Sequence, residues 1–249
     1  MTLWSLVILQ AICVLEGKVF RSGIVNGNCC AREDYAHMVI LRRNKRPICG
    51  GGIIDSNTIL TAAHCLRDKS PNNYEIVAGG IQLSGIDGKP YRVKHIIRHT
   101  NITCPFTFDI AILKLESAID IDNKTTAAIE LNTETITPGT MCTVSGWGLT
   151  SANGTTLSKV LLHTNLRVIS EPECEGYHRP DLIKPWHICT EAKDGTGACN
   201  GDSGGLLVCE GKAVGVASFV VPCGCGYPDA YANIAYKGYN EWIKANRYL

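Results

Sequence analysis

Residues 201–205 read Gly-Asp-Ser-Gly-Gly, a serine held in a bend that small residues permit. Two upstream segments accompany it. Residues 61–65 read Thr-Ala-Ala-His-Cys after an apolar run, and residues 109–113 read Asp-Ile-Ala-Ile-Leu, with a carboxylate at the mouth of another apolar run. Each segment alone is common in unrelated chains. The informative feature is the order His64, Asp109, Ser203, with separations of 45 and 94 residues.

Composition narrows the function classes. The chain has 249 residues, of which 45% are hydrophobic and 19% charged, so it can bury a core and is not a disordered protein. Its net charge of +1 supplies no overall basic field for nucleic acid or an anionic membrane. Thirteen cysteines without the spacing of a zinc site indicate disulfides formed in an oxidising compartment, and no metal is expected.

The N-terminus predicts a route to that compartment. Leu3 to Leu15 is an apolar run broken only by Ser5 and Gln10, too short for the roughly 20 residues of a membrane-spanning helix. We interpret residues 1–17 as a signal peptide and 18–23 as a short propeptide, the alternative being an N-terminal core strand. Three sequons, at Asn101, Asn123 and Asn153, lie in predicted turns and mark candidate glycosylation sites of a secreted, extracellular protein.

The remainder predicts an all-β fold, because short apolar runs alternate with clusters of Gly, Asn, Asp and Pro. A polar stretch over 120–138 is the candidate linker between two halves. Tyr239, Trp242 and Ile243 fall at helical spacing and predict one terminal amphipathic helix. The predicted strands cover residues 47–54, 58–62, 74–78, 91–99, 110–115, 141–144, 159–168, 204–208 and 214–221.

With these segments in order, and with Ser-Gly-Trp-Gly at 145–148 and Ser-Phe at 218–219, the chain resembles the trypsin/chymotrypsin family of serine proteases from Ile24 to its C-terminus. The resemblance implies two six-stranded antiparallel β-barrels with a C-terminal α-helix and a site in the cleft between the barrels. It divides a peptidase domain over 24–249 into an N-terminal barrel (24–125), a C-terminal barrel (132–235) and the helix (237–249).

The resemblance also implies a role for each residue of the site. Ser203 would be the nucleophile, His64 its general base, and Asp109 the group that orients the imidazole. The backbone N–H groups of Gly201 and Ser203 would form the oxyanion hole. Ser218 would support Asp109 from behind. No cofactor is required.

The sequence departs from the family pattern around Ile24, the expected activation site. The family frees an N-terminal isoleucine whose ammonium pairs with a buried aspartate, here Ile24 and Asp202. Asn26 stands where glycine is usual, and Gly23 precedes Ile24 in place of Arg or Lys. Either an unusual enzyme cuts after Gly23, or a cut after Arg21 is followed by trimming.

Cysteine pairing follows family position for eight of the thirteen residues. Cys29, Cys30, Cys104 and Cys225 are left after the signal peptide takes Cys13, and three pairings remain open among them. A bridge from Cys29 or Cys30 to Cys225 is one hypothesis. The bridges implied by the resemblance are Cys49–Cys65, Cys142–Cys209, Cys174–Cys189 and Cys199–Cys223.

The substrate pocket resembles two kinds of relative. Gly197 lies at its base, where trypsin-like members have Asp, whereas Asp229 on the wall resembles the broad-specificity collagenolytic proteases of crustaceans and insects. The alternative for Asp229 is a plain turn aspartate after Pro228. Val220 narrows the entrance as in elastase, so we expect a narrow or mixed, arthropod-type pocket without strict trypsin specificity. The other expected lining residues are Ala198, Asn200, Ser218 and Phe219.

The sequence therefore predicts a secreted serine endopeptidase, made as a zymogen. We expect a monomer that acts on protein or peptide substrates and is open to protein inhibitors, with no nucleic-acid or membrane partner. The paired glutamates of the trypsin calcium loop are absent around 74–88. The second hypothesis is a secreted non-catalytic homologue that acts by binding proteins. The intact set of His64, Asp109 and Ser203 favours the enzyme, and the unusual activation sequence favours the homologue.

Overall fold

The computed structural model describes residues 24–99, 106–191 and 195–248, together with the backbone of two N-terminal strands. Those strands, β1 (Cys13–Leu15) and β2 (Lys18–Phe20), pair with each other in an antiparallel ladder. They lie inside the predicted signal peptide and propeptide. Across the described residues, no helix is both long and apolar enough to span a bilayer.

The N-terminal half forms a closed antiparallel barrel with the strand order β4-β5-β6-β9-β8-β7. Burial alternates in Lys89–Arg98, where Tyr91 and Val93 are buried between exposed neighbours, whereas Thr58–Thr61, Tyr74–Ala78 and Ala111–Leu115 are buried at every residue. The strands are β4 (Met38–Arg43), β5 (Arg46–Asp55), β6 (Thr58–Thr61), β7 (Tyr74–Ala78), β8 (Lys89–Arg98) and β9 (Ala111–Leu115).

The C-terminal half closes a second barrel in the order β11-β12-β13-β16-β15-β14. Two short strands are added to it: β3 (Asn28–Cys29) pairs antiparallel with β12, and β10 (Glu130–Leu131) pairs parallel with β15. The barrel strands are β11 (Met141–Gly146), β12 (Leu162–Ile169), β13 (His187–Thr190), β14 (Leu206–Cys209), β15 (Lys212–Phe219) and β16 (Asp229–Asn233). Two helices complete the fold, α1 (Glu171–Tyr177) and α2 (Lys237–Asn246).

This architecture confirms the predicted fold of two barrels and a terminal helix. All nine predicted strands are present, one with its predicted bounds and the others shifted by a few residues, whereas the barrel strands β4, β13 and β16 were not predicted. The predicted linker, residues 120–138, runs between β9 of the first barrel and β11 of the second, and β10 within it pairs with β15 of the second barrel. Ile129 beside it is buried and donates its N–H to Ile53 in the first barrel, at 2.9 Å. The connection is thus packed against both barrels.

Glycines let the two barrels approach closely at the cleft. A Cβ on Gly52 would lie 2.1 Å from Cδ1 of Leu206, which belongs to the second barrel, and a Cβ on Gly50 would lie 3.3 Å from the backbone of Gly205. The Gly50 N–H donates to the carbonyl of Ser203 at 2.8 Å. A strand of the first barrel therefore holds the backbone of the candidate nucleophile in the second.

The terminal helix α2 belongs to the second half of the chain but closes the core of the first barrel. Tyr239 and Ile243 are fully buried in the same cluster as Leu60 and Ile112. Near the helix end, Lys114 Nζ donates to Thr58 Oγ1 at 2.7 Å and to the carbonyl of Arg247. The helix thus ties the two halves together behind the cleft.

Candidate active site

His64 sits in a single 3-10 turn, Ala63–Cys65, that follows β6. Its backbone N–H donates to Asp109 Oδ1 at 2.8 Å, and its ring Nδ1 lies 2.7 Å from Asp109 Oδ2. The imidazole side chain is about one-quarter exposed, at 24%, whereas the Asp109 side chain is only 1% exposed. The buried Asp109 carboxylate thus holds the His64 imidazole by Nδ1, and part of the ring is exposed to solvent.

Asp109 lies two residues before β9 and receives a further hydrogen bond from the second barrel. The Ser218 hydroxyl, on β15 of the second barrel, donates to Asp109 Oδ2 at 2.6 Å. Together with the two bonds from His64, this satisfies a charge that would be costly to bury alone. The expected line from Ser218 through Asp109 to His64 is present.

Ser203 lies in the tight turn between Cys199 and β14. Asp202 donates its N–H to the carbonyl of Cys199 at 2.9 Å, and Gly205 donates to the carbonyl of Asp202 at 3.0 Å. Gly201 has a φ of +103°, a left-handed conformation that favours glycine, and a Cβ there would lie 3.0 Å from the backbone of Gly148. The glycines of 201–205 are therefore a backbone requirement.

The N–H groups of Gly201 and Ser203 donate no hydrogen bond to any other described residue. An oxyanion hole needs such free N–H groups, and these two belong to the candidate nucleophile itself and to the residue two positions before it. His64 and Ser203 line one cavity of about 230 Å³. Within the described chain no hydrogen bond joins Ser203 Oγ to His64 Nε2, and Nε2 lies 3.8 Å from Cys65 Sγ. Catalytic hydrogen bonds are often loose before substrate binds.

Asp202 is buried beneath the turn, with 1% of its surface exposed. Its carboxylate accepts the N–H of Gly148 at 2.7 Å and the N–H of Cys199 at 2.9 Å. Burial raises the pKa of Asp202 to about 7, although these two hydrogen bonds oppose the shift. No lysine, arginine or histidine of the described residues lies within 4 Å of it.

The segment that begins at Ile24 runs into the second barrel. Ile24 is fully buried in that barrel's core, and Val25 donates its N–H to the carbonyl of Gly197 at 3.2 Å. Asn26 has a φ of +55°, which asparagine tolerates better than most residues, and its side chain donates to the carbonyl of Gly195 at 2.8 Å. The departure from glycine at position 26 is therefore compatible with the local backbone.

The expected pocket residues come together around the same cavity. It is lined by Ala198, Asn200, Ser218, Phe219, Val220 and Asp229, besides His64 and Ser203. Gly197 lies directly under Asp229, because a Cβ on Gly197 would be 2.7 Å from Asp229 Oδ2. Sequence reasoning missed Arg67, Phe106 and Tyr231, which also line the cavity. The closeness of Arg67 to His64 in sequence was a signal for the first, and Tyr231 belongs to the pocket strand on which the resemblance places Asp229. No sequence signal pointed to Phe106.

Asp229 is the first residue of β16 and is 4% exposed, so the plain turn aspartate is the wrong alternative. Its Oδ2 accepts the N–H of Ala198 at 2.7 Å. Burial raises the pKa of Asp229 to about 8, with only partial opposition from that hydrogen bond. The cavity is therefore lined by a buried carboxyl group whose pKa is raised by burial.

The four bridges implied by the resemblance are present: Cys49–Cys65, Cys142–Cys209, Cys174–Cys189 and Cys199–Cys223. The hypothesis of a bridge to Cys225 is wrong, because Cys225 and Cys30 are both free thiols. Cys225 is exposed at the surface, whereas Cys30 is buried. Cys29 is disulfide-bonded. Cys104 lies outside the described residues.

Two of the three sequons can be placed. Asn123 and Asn153 are exposed, each in a bend or turn, and Asn101 lies outside the described residues. One grouping of atoms resembles a metal site, formed by Cys49, His64 and Cys65. Its two sulfurs are joined in a disulfide, so they supply no thiolate ligands.

The trypsin family model matches residues 24–243. The chain belongs to the trypsin family of serine proteases. It is 35% identical to "Trypsin eta" of Drosophila erecta over 233 residues, which cover 88% of each chain. It is 33% identical to "Trypsin I-P1" of Gallus gallus over 226 residues, covering 89% of this chain and 88% of the relative.

A solved structure of a serine protease shares the architecture. Neuropsin, a serine protease expressed in the limbic system of mouse brain, superposes with a TM-score of 0.81 at 27% identity. The match covers 89% of this chain and 98% of neuropsin. Both trypsin-family barrels described above fall inside residues 24–243.

Proposed function

We propose that this protein is a secreted serine endopeptidase that cleaves protein or peptide substrates through His64, Asp109 and Ser203. The observation that carries the proposal is the hydrogen-bonded line from Ser218 through Asp109 to His64, which ends in the cavity that also holds Ser203. In a chain of the trypsin family, this line is the arrangement that turns a weak hydroxyl nucleophile into a reactive one.

In the proposed reaction, His64 Nε2 takes the proton of Ser203 as its Oγ attacks the substrate carbonyl carbon. The negative charge moves to the carbonyl oxygen, which the N–H groups of Gly201 and Ser203 stabilise. The C–N bond then breaks as His64 returns the proton to the leaving amine, and the acyl group remains on Ser203. Water repeats the sequence, releases the acid and restores Ser203. Asp109 keeps the proton on Nδ1 and stabilises the imidazolium.

We further propose that the protein is made as a zymogen. In the intact chain Ile24 carries a peptide N–H, and within the described ranges the Asp202 carboxylate accepts hydrogen bonds from two backbone N–H groups. A cut before Ile24 would supply an ammonium to this buried carboxyl, which lies one residue from Ser203. The resulting pair would stabilise the turn over 201–205 and, by charge attraction, lower the pKa of Asp202 from about 7.

For the substrate residue whose side chain enters the cavity, we propose a mixed preference. A cavity of about 230 Å³ lined by Val220 favours small and medium side chains, and the Asp229 carboxyl in the same lining adds affinity for a basic one. Because Asp229 also accepts the Ala198 N–H, it is held in place whether or not a cation binds.

The experiment is labelling of the secreted protein with a fluorophosphonate probe before and after limited proteolysis, with N-terminal sequencing of each sample. We expect labelling at Ser203 only when the chain begins at Ile24. The Ser203→Ala protein, cut in the same way, is the matched control. If the chain begins at Ile24 and Ser203 stays unlabelled, the protein is a non-catalytic homologue that acts by binding.

A further inference from the structure

A second cavity of about 230 Å³ adjoins His64 and Ser203. Part of its wall is the Cys49–Cys65 disulfide with Ile48 beside it. It shares only His64, Ser203 and Arg67 with the cavity that contains Asp229. The cleft therefore has two compartments that meet at the candidate nucleophile.

The chemistry of peptide cleavage assigns opposite halves of a substrate to these compartments. The acyl half carries the side chain that enters the Asp229 cavity. The amine half leaves with a proton from His64, so its first residues must lie beside His64 and away from Asp229. The second cavity meets both conditions, and we name it the leaving-group cavity.

Two arginines line the leaving-group cavity, Arg43 at the end of β4 and Arg67 just after the turn that holds His64. Arg43 is half-buried and Arg67 is exposed. Among the described residues, neither guanidinium has a carboxylate within 4 Å. The cavity thus presents unpaired positive charge next to the scissile bond.

The other charged side chains near the leaving-group cavity already form ion pairs or hydrogen bonds with other residues. On the β4–β5 hairpin, Arg42 and Lys45 both pair with Glu75. Asp68, which follows Arg67, accepts the Ser70 N–H at 2.9 Å and the Asn73 amide. The hydrogen bonds from Ser70 and Asn73 lower the pKa of Asp68, and Arg43 adds a smaller effect. The carboxylate of Asp68 therefore stays ionised but is held by its own loop.

We propose that Arg43 and Arg67 select substrates with an acidic residue at the first or second position after the scissile bond. The inference rests on the proposed peptidase function and adds a specificity on its leaving-group side. Net charge did not reveal it, because the whole chain carries only +1. The charge is local, and salt screens it beyond roughly 8 Å at physiological ionic strength.

The test uses the activated protein and internally quenched peptides that are identical up to the scissile bond. The two positions after the bond carry Glu, Gln or Lys. We expect kcat/KM for Glu to exceed that for Gln by about five- to tenfold, the size expected of one or two solvent-accessible ion pairs, with Lys below Gln. Half-molar salt should reduce the ratio of Glu to Gln, because it screens those pairs.

Variants then locate the effect. Arg43→Gln and Arg67→Gln should each lower the ratio, and the double variant should bring it close to one. Arg46→Gln is the matched control, since Arg46 is exposed opposite Arg43 on the same hairpin but does not line the cavity. If Arg46→Gln removes the preference as fully as the other two, the field of the hairpin and not the cavity is responsible, and the assignment is wrong.

Failure of this inference is distinct from failure of the proposed function. Measurable cleavage with equal kcat/KM for Glu and Gln overturns the inference and leaves the peptidase intact. Cleavage of no peptide contradicts the peptidase. In that case the binding of the same peptides to the Ser203→Ala protein decides the inference, since a Kd for the Glu peptide no lower than that for the Gln peptide overturns it.

Discussion

The two barrels contribute to the site in different ways. The first supplies His64 and Asp109, which are already joined by two hydrogen bonds and contain no unpaired buried charge. The second supplies Ser203 together with two buried carboxyls, Asp202 and Asp229, whose pKa values are raised to about 7 and 8. The proton-transfer half of the site is complete in the intact chain. The half that binds substrate still has carboxyls suited to a positive charge.

That difference suggests a division of labour. A first barrel that needs no charge from outside can hold the base ready at all times. A second barrel with buried, protonatable carboxyls can respond to an ammonium, from a new N-terminus at Asp202 or from a substrate side chain at Asp229. The following changes test this division, beginning with the largest expected effect.

Replacement of the nucleophile should abolish turnover whichever barrel is otherwise intact. Ser203→Ala should lower kcat on the order of a million-fold, as loss of a triad serine does elsewhere. Peptide hydrolysis by the activated protein is the measurement, with Ser151→Ala as the control because Ser151 is exposed and lines neither cavity beside His64. A Ser203→Ala protein that keeps most of its activity would disprove the assignment.

Asp202→Asn should impair the second barrel's part of the site and leave the first barrel's part intact. Without a carboxylate to receive the Ile24 ammonium, the turn that carries the Gly201 and Ser203 N–H groups loses its support. We expect a loss of kcat on the order of 10²–10³, the scale of losing an oxyanion donor. Fluorophosphonate labelling of the cut chain is the readout. Asp229→Asn is the control and should still label, so equal losses in the two variants would argue against the activation role.

The pH dependence of selectivity should report Asp229. Its pKa is raised, so the carboxyl is largely neutral below about pH 8 and ionised above it. The ratio of kcat/KM for a Lys substrate to that for an Ala substrate should therefore rise with pH, by more than about tenfold between pH 6 and 9. In Asp229→Asn the ratio should stay flat. A rise of equal size in that variant would place the titrating group elsewhere.

The stability of the protein should be sensitive to side-chain volume added where the two barrels pack together. Gly52→Ala places a methyl group against Leu206, which is fully buried, and should lower the free energy of unfolding by about 1–3 kcal/mol. Urea denaturation measures the change. Gly176→Ala is the matched control, because no atom lies within 4 Å of a Cβ there and alanine favours helix α1. If both substitutions leave stability unchanged, the barrels tolerate separation at this point.

Strands that have strong β-formers and clear turn signals could be predicted from sequence, and β7 (Tyr74–Ala78) was predicted with its observed bounds. β16 (Asp229–Asn233) was missed, because Asp, Ala and Asn are poor strand formers and tertiary packing overrides their preference. Helix α1 was also missed, although its signal was present: Ser170 caps it by accepting the Glu173 N–H, with proline in the first turn.

The residues of the candidate site also fall into two groups, those that the sequence could identify and those that only folding brings to the site. His64, Asp109 and Ser203 could be chosen from motif order, since backbone-limited segments such as 201–205 tolerate few residues. Arg43 could not be linked to Ser203, because 160 positions separate them in sequence and only barrel closure brings them to one cavity. Phe106 likewise reaches the other cavity only through folding, where its ring lies 4.7 Å from that of Phe219.

The residues themselves predicted an all-β chain with disulfides, because turn glycines, short apolar runs and abundant cysteines are local features of the sequence. The two barrels, the four bridges and the identity of the candidate catalytic residues followed from the resemblance of these segments to the trypsin/chymotrypsin family. Only the tertiary structure decided which carboxyls are buried, which arginines stay unpaired, and which cavity each of them faces. Those properties depend on desolvation and distance between segments far apart in the chain, and no local pattern records either quantity.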